Sequence, residues 1–403
     1  MRRLHVIHHG LRNLRSHYYG EAKGWIAACR ARGIDYRLYV HDTAAPEIVR
    51  ELAALPAFRH RAGTASIAQL TGQGNSDMAV LAGWFADGCA ALESEGVGAE
   101  DSVVVTFASE IETLGMADWL ERVAPERRPP VSLILHREPC LNSAIAEDRT
   151  GITADFSEFI RAMTRMKTLL PPERIRLYAT TPHLSALTGS VAQHPCEEAP
   201  HPSYYLADDV LAAVPEPRAH VCVPGQLRLE KGSELVAEVL LRFAEARPGK
   251  RLTVQADDEE DARAMADRLA PCKSPYSVYF GELGHAAYQR HLVQSDIVLL
   301  PYDWRRYALR ASGVFSEAVG FGIVAVVPDR TWMADNLVAG WGGGTIFREQ
   351  TVASILEALI EASDNHAALR ERARRSMQAW RRRHSTAALL EKILRSPSMP
   401  AIL

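Results

Sequence analysis

The stretch PYDWRRYALRASGVFSEAVGFGIVAVVP, residues 301–328, decides the fold of the second half of the chain. Apolar runs at 296–300 and 323–327 flank its loop and predict two buried strands. Between them, Ser312-Gly313 opens a short predicted helix. Because N–H groups at a helix N-terminus attract anions, this loop is a candidate site for a diphosphate.

Further side chains in the same stretch suit a nucleotide. Tyr302, Tyr307 and Arg310 can add hydroxyl and guanidinium donors beside the loop. Glu317 lies one turn into the predicted helix, where its carboxylate can accept hydrogen bonds from sugar hydroxyls. Together these residues predict a pocket for the diphosphate and ribose of a nucleotide.

A second loop, earlier in the chain, also lies between a predicted strand and a predicted helix. The segment GQLRLEKG, residues 225–232, follows a predicted strand at 219–224 and precedes a predicted helix at 233–246. Arg228 and Lys231 are its cations. Fixed cations stabilise the charge that grows on a leaving diphosphate, so the loop is a second candidate for diphosphate binding. The alternative is a solvated turn.

Both loops resemble the donor-site signature of the retaining GT-B glycosyltransferases of the fourth sequence family. That family has Glu, seven residues and Glu-Ala in the first stretch, and Glu317-Ala318 matches the second pair, while Leu309 occupies the position of the first Glu. In the second stretch the family has Gly-Arg-Leu, two residues and Glu-Lys-Gly. Lys231-Gly232 matches it, whereas Gln226 replaces the Arg and Arg228 is the substitute.

The resemblance implies a fold and a set of roles. It implies an α/β protein of GT-B type, with two Rossmann-like domains facing across a cleft and the nucleotide sugar on the second. It also implies that the loop at Gly281 packs against the base. The residues predicted to act in catalysis are His136, Arg228, Lys231 and Glu317. The residues predicted to bind the donor are Gly225, Arg228, Lys231, Gly281, Tyr302, Tyr307, Arg310, Ser312, Gly313, Val314 and Glu317.

The first half of the chain alternates apolar strands with helical patterns, which predicts a parallel α/β sheet. Ligands of such sheets bind beyond the carboxyl ends of the strands. His136 follows the predicted strand 131–135, so it could contact the transferred sugar or the acceptor; the alternative is a loop histidine that caps a helix. Glu110 is a candidate base, but a helix-start carboxylate is favoured. For His8, His9 and His17 the prediction is a solvated loop.

Domain boundaries follow from interruptions of this pattern. Prolines at 200, 202, 215 and 217 predict a linker, giving domains at 1–205 and 206–375. The resemblance implies that 376–403 crosses back to the first domain, with Trp380, Leu389, Leu390 and Ile393 as packing residues. The glycine run at 342–344 is interpreted as a loop, and the acidic run at 257–261 as a helix start rather than a metal site.

Composition narrows the class of protein. The chain has 403 residues and a net charge of -3, which gives no general footprint for nucleic acid. Its six cysteines include no C-x-x-C pair, which favours reduced thiols over a disulfide framework or zinc site. The N-terminus contains no apolar run typical of a signal peptide or a membrane span. We therefore expect a cytoplasmic protein.

The resemblance implies transfer of a hexosyl or related sugar from a nucleoside diphosphate to an acceptor hydroxyl. It implies retention, with no metal and no cofactor beyond the nucleotide-sugar co-substrate. The acceptor would be a carbohydrate, a lipid-linked molecule or another hydroxyl compound in polysaccharide or glycoconjugate synthesis. The arginine-rich segment 370–383 fits a solvated helix face or, less simply, peripheral contact with a membrane. The same architecture also serves nucleotide-sugar epimerases and phosphorylases, and a non-catalytic partner subunit could keep the fold.

Overall fold

The computed structural model describes residues 2–14, 17–59, 76–140, 155–205, 220–256, 258–281 and 283–395. These residues form two compact units, Met1–Pro202 with Thr386–Leu403, and Ser203–Ser385. Each unit has its own parallel sheet. The predicted linker residues 206–219, Asp257 of the acidic run and Glu282 lie outside the described residues.

The first unit contains a seven-stranded sheet in the order β3-β2-β1-β4-β5-β6-β7. All of its pairs are parallel, and a buried core of aliphatic residues covers it. The strands are β1 Leu4–His8, β2 Tyr36–His41, β3 Leu55–Phe58, β4 Ser102–Val105, β5 Val131–Leu135, β6 Ile175–Ala179 and β7 Cys196–Glu198. The helices are α1 His17–Ala31, α2 Pro46–Leu52, α3 Ser76–Gly88, α4 Ala90–Ser94, α5 Glu110–Arg122, α6 Ser157–Leu169 and α7 Pro182–Ala192.

The second unit repeats this plan with six parallel strands in the order β10-β9-β8-β11-β12-β13. The strands are β8 His220–Val223, β9 Arg251–Ala256, β10 Tyr276–Phe280, β11 Ile297–Leu299, β12 Val324–Pro328 and β13 Gly343–Phe347. The helices are α8 Ser233–Ala246, α9 Glu259–Leu269, α10 His285–Val293, α11 Trp304–Tyr307, α12 Gly313–Gly320, α13 Trp332–Val338, α14 Val352–Asp364 and α15 His366–Arg383.

The strand order confirms the doubly wound α/β architecture in both units. In each sheet the order in which strands are added reverses beside the first strand, between β1 and β4 and between β8 and β11. Ligands bind beyond the carboxyl ends of the strands at such a switch point. The two loops with the donor signature follow β8 and β11, so the sheet order brings them together.

The last helix, α16 Thr386–Arg395, belongs to the first unit. Leu389, Leu390 and Ile393 are buried in that unit's core, as predicted. Trp380 does not join them, because its ring lies among Phe315 and Trp332 in the second unit and its indole N–H donates to Ser316. The return to the first unit therefore begins at Thr386 rather than at 376.

The prediction of a loop at 342–344 is wrong, because Gly343 and Gly344 begin strand β13. A Cβ on Gly343 would overlap the Leu369 carbonyl oxygen, and one on Gly344 would overlap the Ala325 carbonyl oxygen. Glycine is thus required for close packing of β13 against β12 and α15. The sequence pattern also missed α2, β3, α6 and β7, which the structure contains.

Among the described residues, no helix combines the length and hydrophobicity needed to cross a bilayer. No disulfide joins any of the cysteines within those residues.

Replacing Gly343 by alanine should destabilise the second unit by about 2–4 kcal/mol, because the added methyl group meets backbone that cannot move without disrupting β13. Urea or thermal unfolding measures the change. Gly284→Ala is the matched control, since a Cβ there meets nothing within 4 Å. Equal stability of the two variants would contradict the packing described for β13.

Candidate functional site

The site is built on a close crossing of two loops in the second unit. Gly232 ends the 3₁₀ turn Leu229–Lys231 and has φ +71°, a left-handed conformation that favours glycine. A Cβ on this residue would overlap the Pro301 carbonyl oxygen. The same carbonyl oxygen accepts a hydrogen bond of 2.6 Å from Gln350 Nε2. Glycine therefore lets the loop after β8 lie directly against the loop after β11.

This crossing fixes the position of Lys231. Its Nζ lies 3.1 Å from the point where a Cβ on Gly225 would be, and 5.6 Å from the centroid of the Tyr302 ring. Val314 Cγ2 lies 3.9 Å from the same point above Gly225. Lys231, Tyr302 and the first turn of α12 thus surround the open backbone of Gly225. A backbone without a side chain leaves room for a ligand to approach the ammonium group.

Helix α12 begins in this cluster. The Ser312 hydroxyl is the N-cap and accepts a hydrogen bond of 3.2 Å from the N–H of Phe315. The other N–H groups of the first turn, including those of Gly313 and Val314, have no acceptor within the helix. Together with the helix dipole and the Lys231 ammonium group, they make a local positive potential. This arrangement suits the oxygen atoms of a phosphate.

Arg228 lies at the edge of this cluster. Its guanidinium group hydrogen-bonds Gln226 Oε1 and lies 3.6 Å from Glu230 Oε1. The side chain is half exposed, at 51%. Gln226 holds the position where the family has arginine, and the contact brings the substitute cation back towards that position. Arg228 therefore lies at the solvent-exposed edge of the site.

Glu317 is buried one turn after Val314. Gln289 Nε2 donates to Glu317 Oε1 at 3.1 Å and to the Tyr204 carbonyl oxygen at 2.6 Å, and Tyr288 also hydrogen-bonds the carboxyl group. Burial raises the pKa of Glu317 to about 7, against the lowering effect of these two hydrogen bonds. The carboxyl group is thus poised between its neutral and charged forms near neutral pH, and hydrogen bonds donated by ligand hydroxyls would favour the charged form.

Two tyrosines form one wall beside the cations. The Tyr302 and Tyr307 rings lie 4.4 Å apart, and the Tyr302 hydroxyl hydrogen-bonds Ser312. Burial raises the pKa of Tyr307 to about 12, while the nearby Arg310 lowers it. Both phenols therefore remain neutral near pH 7 and can act as hydrogen-bond donors.

The loop after β10 is tied to the loop after β8 through Gln255. Its Oε1 accepts from the Gly225 N–H at 2.7 Å, and its Nε2 donates to the Gly281 carbonyl oxygen at 3.2 Å. Gly225 and Gly281 have φ of +86° and +84°. The side-chain amide therefore joins two of the predicted site residues through their backbones.

His136 belongs to the first unit, at the carboxyl end of β5. Its Nε2 lies 3.0 Å from the Thr106 carbonyl oxygen, and its ring stacks on Phe107 at 4.3 Å. Burial, followed by the neighbouring His201 and His17, lowers its pKa well below 6.5. The imidazole is therefore neutral and donates its N–H to a strand-end carbonyl, rather than capping a helix.

The neighbouring histidines of this rim differ from the prediction. His8 and His9 are fully buried, whereas solvated loop positions were expected. His8 packs against the Tyr18 and Phe107 rings, and His9 Nε2 lies 3.1 Å from Glu112 Oε1. His17 is exposed, as predicted, but it begins helix α1 rather than lying in a loop.

Glu110 begins α5, where Ser109 and Glu112 form a capping box. Its position favours the interpretation of a carboxylate at a helix start. Within the described part of the chain, no group of three or more His, Cys, Asp or Glu side chains is placed to hold a metal ion.

Several solved structures resemble the whole chain. They include sucrose-phosphate synthase from Thermosynechococcus elongatus, with 13% identity, TM-score 0.64, and coverage of 98% of this chain and 97% of the other. WaaG, a glycosyltransferase of lipopolysaccharide biosynthesis, has 14% identity, TM-score 0.60, and coverage of 97% and 98%. HepE of Anabaena, solved with UDP and glucose, has 10% identity, TM-score 0.64, and coverage of 99% and 100%.

The chain has the GT-B fold. At these identities the likeness concerns the fold alone. No protein-family model matches the sequence, and no curated protein matches it.

The structure brings most of the predicted donor residues into one part of the second unit. Gly225 has Lys231 and Val314 as neighbours, and Lys231 lies beside Tyr302. Tyr307 and Ser312 contact Tyr302 directly, and Gly281 is connected to Gly225 through Gln255. Sequence reasoning missed Gln255, Tyr288, Gln289 and Gln350. Their signal is weak, because a lone amide or phenol in a helix, a strand or a loop has no characteristic spacing in the sequence.

Gly232→Ala should weaken binding of a nucleoside diphosphate by about tenfold or more, because the added Cβ displaces the Pro301 backbone and moves Lys231. Isothermal titration with UDP measures the change. Gly249→Ala is the matched control, since Gly249 has φ +79° but a Cβ there meets nothing within 4 Å. If both variants bind UDP like the wild type, the loop crossing does not position the ligand.

The raised pKa of Glu317 predicts a pH dependence of stability. The unfolded chain loses this proton near pH 4.5 and the folded chain near pH 7, so stability falls as pH rises between these values. Glu317→Gln should remove about 3 kcal/mol of that fall. Unfolding of both proteins between pH 4.5 and 8 tests this, with exposed Glu245→Gln as the control. Parallel profiles for wild type and Glu317→Gln would contradict a buried, neutralised carboxyl group.

Proposed function

We propose that the protein is a glycosyltransferase that moves a sugar from a nucleoside diphosphate to an acceptor hydroxyl, with retention and without a metal ion. The observation that carries the proposal is the convergence of Lys231 Nζ and the N-terminus of α12 on the open backbone of Gly225. This cluster lies at the switch point of the second sheet, where ligands of doubly wound sheets bind. HepE, which shares the fold, was solved with UDP and glucose.

The chemistry assigned to the site is stabilisation of a leaving group. As the bond between the sugar C1 and the diphosphate oxygen breaks, its electron pair stays on that oxygen. Lys231 and the N–H groups of Gly313 and Val314 stabilise the resulting negative charge without having to reorient. Arg228 adds a second cation from the exposed edge of the site. Because these groups are already oriented, the charge develops in a prepared environment.

The remaining residues position the two ends of the donor. Glu317, held by Gln289 and Tyr288, accepts hydrogen bonds from the ribose hydroxyls. Tyr302, Tyr307 and Arg310 line the phosphate and sugar side. Gly281 follows β10 with an open backbone, against which the base packs.

The acceptor step is assigned to the rim of the first unit. The acceptor is a carbohydrate, a lipid-linked molecule or another hydroxyl compound. Its oxygen forms the new bond to C1 while its proton passes to the departing diphosphate oxygen. His136 is proposed to contact the transferred sugar or the acceptor as a neutral hydrogen-bonding ring, since burial keeps its pKa low. The reaction is expected to occur in the cytoplasm.

Lys231→Ala should weaken UDP binding by about tenfold or more and reduce sugar transfer accordingly, because the variant lacks the ammonium group that is proposed to contact the diphosphate. Calorimetry with UDP, followed by assays with a panel of nucleotide sugars, measures both effects. Lys250→Gln, at the opposite edge of the sheet, is the charge-matched control. Transfer that survives within a few-fold in Lys231→Ala would contradict the proposal.

Product analysis separates the proposal from different activities of the same fold. A transferase releases nucleoside diphosphate and a glycosylated acceptor only when an acceptor is present. Conversion of the nucleotide sugar to an isomer without an acceptor would indicate an epimerase. Nucleotide binding without turnover of any donor would indicate a non-catalytic partner subunit.

A further inference from the structure

A cavity of the second unit lies at the amino-terminal ends of the sheet strands, opposite the carboxyl ends that carry the proposed donor site. It is found where β8 and β11 begin, beside α14 and α15, and encloses about 170 Å³. Its polar lining consists of His220, Lys250, Asp296, Ser363, His366 and Arg370. The proposed donor loops follow the carboxyl ends of the same two strands, so the two places do not share residues.

The cavity wall is held in place by backbone pairing around Asp296. Asp296 Oδ2 accepts a hydrogen bond of 2.8 Å from the His220 N–H, and the Asp296 N–H donates to the His220 carbonyl oxygen at 2.9 Å. His220 Nδ1 lies 2.9 Å from the Gln294 carbonyl oxygen, and its Nε2 contacts Thr253. The two nitrogen atoms of His220 are therefore used in the wall. Asp296 is a fixed, nearly buried carboxylate.

The charge of the cavity is positive. Lys250 and Arg370 contribute two permanent cations, and Asp296 contributes one carboxylate. Arg370 Nη1 lies 3.9 Å from Asp296 Oδ1, and His366 Nε2 lies 3.8 Å from the same atom. His366 Nε2 also lies 3.3 Å from the Asp296 carbonyl oxygen. The five N–H groups of a guanidinium can serve more than one acceptor. Nearby Asp364 is bound by Arg247, which offsets its charge.

Lys250 is the residue best placed to bind a ligand. Within the described chain its ammonium group has no hydrogen bond and no ion pair within 4.0 Å, although it lowers the pKa of both Asp364 and His366 from a longer distance. Its side chain is only partly exposed and lines the cavity together with the Ser363 hydroxyl. A cation and a hydroxyl at one opening can both donate to an oxyanion.

We propose that this cavity binds a small tetrahedral oxyanion, either inorganic phosphate or the phosphoryl group of a small phosphorylated metabolite. The size of the cavity favours this class of ligand, because sites for drug-sized ligands enclose roughly 300–1,000 Å³. A nucleotide is therefore too large, while a phosphoryl group leaves room for bridging water. Lys250, Arg370 and Ser363 are the proposed donors, and Asp296 lies 3.9 Å from the Arg370 guanidinium group.

The first experiment titrates the full-length protein with inorganic phosphate and, separately, with glucose 6-phosphate, at constant ionic strength maintained with chloride. Calorimetry should detect binding of at least one of them, and Lys250→Gln should weaken it by about tenfold or more. Arg372→Gln is the matched control, because Arg372 is an exposed residue of α15 outside the cavity. Binding of phosphate alone identifies the free ion, whereas tighter binding of glucose 6-phosphate identifies a phosphorylated metabolite.

Lys231→Ala separates this site from the proposed donor site. Phosphate binding should be unchanged in Lys231→Ala and about tenfold or more weaker in Lys250→Gln, whereas UDP binding should be weakened in Lys231→Ala and unchanged in Lys250→Gln. Loss of phosphate binding in Lys231→Ala alone would place the anion in the donor site and overturn the proposal. No binding of either anion at about 10 mM, or equal binding by wild type and Lys250→Gln, would also overturn it.

His366 provides a readout that does not depend on a mutation. Burial and the cations Arg370 and Lys250 lower its pKa, whereas Asp296 raises it. A bound oxyanion adds negative charge beside the ring, so phosphate should raise the pKa of His366 measured by NMR of the imidazole nitrogens. An unchanged His366 titration in saturating phosphate would contradict binding at this position.

Discussion

The close approach of Gly232 to the Pro301 carbonyl oxygen is the constraint on which the candidate donor site depends. Parallel strands order the sheet, but they do not by themselves decide how near the loops after β8 and β11 come to each other. Glycine in a left-handed conformation removes the Cβ that would separate them. Lys231 precedes this glycine, so the backbone geometry places its ammonium group over Gly225 and beside Tyr302. The anion-binding character of the site is thus a consequence of backbone packing as much as of charge.

The buried carboxyl group of Glu317 has a raised pKa and is also held in place by hydrogen bonds. Glu317 is removed from water by the packing of α10 and α12, and its pKa rises to about 7 as a result. Gln289 and Tyr288 hold it in one orientation, so no further ordering is needed when hydroxyl groups arrive. Lys231, in contrast, is held by the loop crossing and by a ring. Of the two residues proposed to bind the nucleotide, Glu317 is therefore held by hydrogen bonds and Lys231 by the conformation of the backbone.

Much of this architecture could be predicted from the sequence, because alternating apolar strands and capped helices leave strong local patterns. Strand β5 and helix α8 have the predicted bounds, and Ser312 caps the helix that carries Glu317. The glycine run at 342–344 could not be predicted as a strand, since glycine is unfavourable in strands unless another backbone lies against it. That neighbour, Leu369, is distant in sequence. Trp380 was misplaced for a related reason, because an apolar side chain near a chain end does not reveal which core it joins.

A crystal structure of the protein with a bound nucleoside diphosphate tests the central claim most directly. The account predicts that phosphate oxygens lie within hydrogen-bond distance of Lys231 Nζ and of the N–H groups of Gly313 or Val314, above the open backbone of Gly225. A diphosphate bound elsewhere in the second unit, or a Lys231 side chain directed away from it, would contradict the account.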